Sequence, residues 1–141
     1  MQLHEYIGVI VKRTDLKLHN YYQKVVNPFK ITIDQWMILV VLWEREGITQ
    51  NELAERTYKD KTNIARMLFT MEERGFIYRV TDKKDRRSLQ VFLTDHGKKL
   101  KDEVLPVSIE AYRQTVKGLS EEEVNQFRYL LNKIYDNVKD L

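Results

Sequence analysis

The chain has 141 residues, 43% hydrophobic and 32% charged, with 5 Gly, 2 Pro and no Cys. That length suits one domain burying roughly 70% of the surface its unfolded form exposes, and the composition fits a helix-rich globular chain, not a disordered one. With no thiol, disulfides, thiolate metal sites and cysteine redox switches are excluded. The first twenty residues include Glu5, Lys12, Arg13, Asp15 and Lys17, so no signal-peptide apolar region is expected among them. The longest apolar run, Trp36 to Trp43, falls far short of the ~20 residues needed to span a bilayer, so a cytoplasmic protein without a membrane partner is expected. The net charge of +3 is unevenly spread: residues 56–87 hold ten basic and five acidic side chains, and the remainder is net negative. A polyanion is the natural partner of such a segment.

Residues 5–26 place Ile7, Ile10, Val11, Leu18, Tyr21, Tyr22 and Val25 at helical spacing, and Asn27-Pro28 stops that helix. Thr32 with Gln35 forms a capping-box pattern opening a second helix through Trp43, which Gly47 ends. Thr49 with Glu52 opens a short helix in the same way. Asp60 caps a fourth helix, whose stripe of Ile64, Met67, Leu68 and Met71 closes at Gly75. The period then changes to two: residues 76–81 and 88–93 read as strands joined by the polar loop Asp-Lys-Lys-Asp-Arg-Arg. Thr94 caps a long helix running to about Lys117 with a bend expected at Pro106. Ser120 with Glu123 starts the last helix, where Val124, Phe127, Leu131, Ile134, Val138 and Leu141 follow steps of three and four. This stripe either packs within the subunit or joins the first helix in a dimer interface. The second is favoured, because both terminal helices are striped and neither belongs to the central unit.

A short helix (50–57), a tight turn, a longer helix (61–74) and a basic-tipped hairpin (76–93) make a winged helix-turn-helix. The expected fold is therefore mainly α with a small β-hairpin wing. It is a single domain over 1–141, with the winged lobe at about 33–94 and dimerisation helices at about 3–26 and 95–141. The second helix of such a pair enters the major groove. Its face opposite the apolar stripe carries Thr62, Arg66, Thr70 and Glu73, with Asn63 on the flank and Lys61 at the start, where a phosphate would meet free N–H groups. Arg66 suits a two-pronged contact with guanine and Asn63 one with adenine; a merely solvated face would be polar too. Lys83, Lys84, Arg86 and Arg87 at the hairpin tip repel one another unless an anion is near, and a minor groove supplies one. Asp85 among them reads as an internal partner holding one arginine. Thr49 and Gln50, at the start of the short helix, complete the candidate DNA-contacting set.

The runs Asp60-Lys61-Thr62-Asn63-Ile64-Ala65-Arg66, Glu72-Glu73-Arg74-Gly75-Phe76-Ile77, Asp82-Lys83-Lys84-Asp85-Arg86-Arg87 and Leu93-Thr94-Asp95-His96-Gly97 together resemble the MarR family of bacterial regulators. The resemblance covers nearly the whole chain. It implies a homodimeric transcriptional repressor on a pseudo-palindromic operator, with Arg87 as the wing arginine of the minor groove and Asp85 as its orienting acid. Phe69 departs from the family's usual polar residue; it either tucks against the preceding helix or meets thymine methyls. Relatives are often released from DNA by a small phenolic or amphipathic compound, for which Tyr22, Trp36 and Tyr112 are the candidate pocket, unless they are simply core aromatics. No cofactor is expected, and His4, His19 and His96 lack metal-ligand spacing. No nucleophile–base pair or glycine-rich phosphate loop suggests an enzyme. The rival reading is a winged helix that binds another protein.

Overall fold

The computed structural model describes all residues, Met1–Leu141, as two compact units, Met1–Ile109 and Glu110–Leu141. In the first, a 3-10 turn (Leu3–Glu5) precedes α1 (Ile7–Val26), and a second 3-10 turn (Asn27–Phe29) with Pro28 in its first positions leads to α2 (Ile33–Glu44). The predicted cap of α2 is complete. Thr32 Oγ1 accepts from the Gln35 N–H at 3.1 Å, and Gln35 Oε1 accepts from the Thr32 N–H at 3.0 Å. A two-residue strand β1 (Ile48–Thr49) then leads into α3 (Gln50–Arg56), followed by α4 (Lys61–Glu73), β2 (Ile77–Thr81) and β3 (Leu89–Leu93).

The expected hairpin gains a third strand. The sheet order is β1-β3-β2, antiparallel throughout, with Ile48 opposite Val91, Thr49 opposite Gln90 and Ile77 opposite Leu93. The core lies beneath this sheet and the short helices. Ile38, Leu39, Leu42, Leu53, Ile64, Leu68, Met71, Ile77 and Val91 are essentially solvent-free, and Leu100 and Val104 on α5 (Asp95–Thr115) join the same cluster. Gly75 ends α4 with φ +78°, a left-handed conformation that suits a residue without Cβ. Gly97 answers a different demand: a Cβ there would stand 2.1 Å from the Phe76 carbonyl oxygen. This close approach seats the first turn of α5 on the wing base, where the Gly97 carbonyl accepts from Trp43 Nε1 at 3.0 Å. Pro106 is inside α5.

In the second unit the remainder of α5 meets α6 (Glu121–Val138) through the turn at Gly118. The Ser120–Glu123 capping box is complete, with reciprocal bonds of 3.1 and 2.8 Å. α6 has no buried residue. Phe127, Ile134 and Val138, all on the predicted stripe, are 58%, 41% and 56% exposed. No single helix of the chain is long and apolar enough to cross a membrane.

Candidate nucleic-acid interface

The helix-turn-helix is braced before any ligand is considered. Thr49 Oγ1 caps α3 by accepting from the Glu52 N–H at 3.1 Å, but Glu52 does not return the bond as the sequence pattern suggests. Its carboxylate instead meets Arg45 at the end of α2. Arg56 and Glu44 pair at 2.8 Å across the same two helices, and Lys59 in the turn reaches Asp34 on α2 at 2.9 Å. Each exposed pair is worth about 0–1 kcal/mol, so the apolar interior, more than these pairs, holds the lobe together.

On α4 the predicted stripe faces the core, with Ile64, Leu68 and Met71 buried and Met67 half-buried, and Lys61, Thr62, Arg66, Thr70 and Glu73 are exposed as the 100° spacing predicts. Asp60 caps the helix through Oδ1, accepting from the Asn63 N–H at 2.8 Å. A carboxylate therefore already occupies part of the helix start, and a phosphate there would be left the first two N–H groups. The half-buried Asn63 uses both ends of its amide within the protein, donating to Asp60 Oδ2 at 2.9 Å and accepting from Arg66 Nη2 at 2.9 Å. Phe69 does not tuck away: it is 54% exposed.

The wing tip is organised by its acids. Asp82 Oδ1 accepts from the Lys84 N–H at 2.8 Å, and Asp85 Oδ1 accepts from the Arg87 N–H at 3.0 Å while Oδ2 accepts from Ser88 Oγ at 3.2 Å. The first two are side-chain-to-backbone turns two residues long. They leave the loop folded and Lys83, Lys84, Arg86 and Arg87 in solvent. Arg87 Nε lies 3.7 Å from Asp85 Oδ1 with the arginine side chain 96% exposed, so Asp85 biases that guanidinium more than it locks it.

Sequence reasoning overlooked the residue that ties wing to helices. Arg79 on β2 donates through Nε to Glu72 Oε2 at 3.1 Å and through Nη1 to Gln50 Oε1 at 2.9 Å. Its side chain is only 17% exposed. Gln50, expected at DNA, thus has its amide oxygen engaged and its NH2 group left over. The signal was legible: Arg79 stands two residues from the buried Ile77, on the inward register of the strand.

Two of the three pocket candidates come together. Tyr22 and Trp36 lie 5.7 Å apart, ring centre to ring centre, and line a cleft of about 490 Å³ with Asp15, His19, Asp34 and Lys59 among its walls. Trp36 Nε1 is buried without an acceptor. Tyr112 belongs to the second unit, where its hydroxyl meets Arg128 of α6.

The chain as a whole is similar to known proteins. The MarR family profile matches residues 31–89. The organic hydroperoxide resistance transcriptional regulator of Bacillus subtilis (strain 168) is 26% identical over 141 residues, covering 100% of this chain and 92% of the relative. A MarR transcriptional regulator from Methanosarcina mazei Go1 superposes with a TM-score of 0.82 at 28% identity, over 97% of this chain and 99% of the other. S. aureus MepR, solved in complex with DNA, gives a TM-score of 0.86 at 25% identity, over 94% and 98% of the two chains.

Proposed function

We propose that this chain is a MarR-type transcriptional regulator, as its similarity to that family over residues 31–89 supports, and that it acts as a homodimeric repressor released from a pseudo-palindromic DNA operator by a small ligand. The observation that carries the DNA reading is one lobe presenting two complementary surfaces: the exposed Lys61, Thr62 and Arg66 face of α4, and a wing loop whose acids are spent on its own backbone while four cations reach solvent. The helix suits a major groove and the basic tip a minor groove. That MepR was solved with DNA supports the same use of this fold.

Homodimerisation rests on apolar surface without a partner in the single chain. Ile7, Ile10 and Leu16 on α1 are 51%, 37% and 57% exposed, and the α6 stripe described above is open as well. Two such subunits would read half-sites about one helical turn, roughly 34 Å, apart. The ligand reading rests on the Tyr22–Trp36 cleft: aromatic walls with the paired Lys59 and Asp34 at the rim suit a flat aromatic compound with a polar substituent. The Bacillus relative is named for organic hydroperoxide resistance. These 141 residues contain no cysteine, so thiol oxidation is not the signal here.

The test is a fluorescence-anisotropy titration of the full chain with DNA from upstream of its own gene, against scrambled duplex, at two salt concentrations. Tight, selective binding is expected, and a dimer making about 8 phosphate contacts gives a log–log salt slope near −7. Affinity that ignores both sequence and salt would instead favour a winged helix that binds another protein.

A further inference from the structure

We propose that Asp60 and Asn63 form a polar relay that sets the guanidinium of Arg66 for base reading, which makes Asn63 a positioning residue and not itself a reader. The inference rests on the reading above, in which α4 enters the major groove. Residues 60, 63 and 66 are spaced at three, so their side chains adjoin along one edge of the helix. Their chemistry gives the row a direction. A carboxylate only accepts hydrogen bonds and a guanidinium only donates them, while the amide between them has one end of each kind. With Asp60 Oδ2 at 2.9 Å from Asn63 Nδ2, the amide oxygen must face Arg66, and it receives Nη2 at 2.9 Å. Turning the amide over would set two acceptors together and an NH2 group against a cation.

Asp60 is itself held. Its other oxygen caps α4, and its backbone is extended, at φ −76° and ψ 163°. The relay thus starts from an acid held by its own cap and ends on a long, exposed side chain. Arginine carries about 2 kcal/mol of rotamer entropy, and a side chain ordered before binding loses less of it on contact. The uncommitted N–H groups of Arg66 remain for a guanine edge, which needs two donors. Reading adenine with Asn63 would require both amide bonds to break first.

The experiment is a selection of bound half-sites from a library with every base at every position, run on the full chain and on five variants. Arg66→Ala identifies the base position that Arg66 reads. Asp60→Asn keeps a capping side chain but presents an NH2 group, so the Asn63 amide turns and Arg66 is released. Asn63→Ala removes the link outright. In both, discrimination at the Arg66 position is expected to fall about threefold to tenfold, with other positions unchanged. The double variant Asp60→Asn/Asn63→Asp restores the donor–acceptor order at the wild-type net charge and is expected to restore discrimination to within about twofold, whereas Asn63→Asp alone, facing Asp60, is not. Rescue by the double variant is a readout that a role in folding alone would not move.

Unchanged discrimination in Asp60→Asn and Asn63→Ala overturns the relay. So does a preference for adenine that disappears from a separate position in Asn63→Ala, since that makes Asn63 a reader. An Arg66→Ala protein with every base preference intact overturns the relay and leaves the regulator standing. A wild-type chain that selects no sequence overturns the regulator reading itself.

Discussion

The lobe from β1 to β3 and the terminal helices α1 and α6 are built from similarly regular apolar stripes, yet they end in opposite states. On α4 three of the four stripe residues, Ile64, Leu68 and Met71, reach zero exposure and Met67 is half-buried against the core. On α1 only Val26 is buried, and on α6 nothing is. Each large apolar side chain left in water forgoes about 1.5–3 kcal/mol, so α1 and α6 leave more unrealised stabilisation on their surfaces than a marginal fold can neglect. The same periodicity therefore carries two different meanings. In the lobe it describes a finished interior, and in the terminal helices it describes half of one, which under the proposed function a second copy completes.

That contrast can be broken most forcefully on α6. Ile134→Glu is expected to give a monomer in sedimentation with an intact lobe, and to weaken operator binding by about 10²–10⁴-fold as bivalency is lost; a variant that remains a dimer would end the idea. Leu68→Ala, in the lobe, is expected to cost about 2–5 kcal/mol of stability, by an amount independent of protein concentration in chemical unfolding. The corresponding loss for Phe127→Ala is expected to depend on concentration, because it acts through association. Arg87→Ala is expected to leave both stability and the dimer alone and to lower operator affinity by about 1–3 kcal/mol, with a shallower salt slope, in anisotropy titrations. Smallest is the effect of paired cap removals: Thr32→Ala and Ser120→Ala each cost about 1 kcal/mol. The first is expected to appear as a lower Tm of the lobe and the second as a weaker dimer.

Local chemistry was the part of the fold most legible in the sequence. The boxes at Thr32 and Ser120, the Asp60 cap and the Gly75 terminus depend on residues three or four apart, and all form. The box at Thr49 forms by half, because Glu52 has a better partner in Arg45, seven residues back. β1 went unread since two residues are too few to show a period; only the partner strand defines it. The candidate site divides the same way. The exposed face of α4 and the cations of the wing follow from spacing and charge. The engagement of Gln50 by Arg79, 29 residues away, follows from packing alone. Asn63 is the instructive case: its neighbours at i−3 and i+3 were in view, but a helix face considered for what it offers outward does not reveal bonds running along it.

Thr49 holds two offices at once. It is the last residue of β1, opposite Gln90, and its hydroxyl is the cap of α3. A strand position rewards branching at Cβ, and a cap position requires a short side-chain oxygen. Serine, asparagine and aspartate meet only the second requirement, valine and isoleucine only the first. Threonine alone among the coded amino acids meets both, so drift at codon 49 has almost nowhere to go without loosening either the sheet or the helix that it joins.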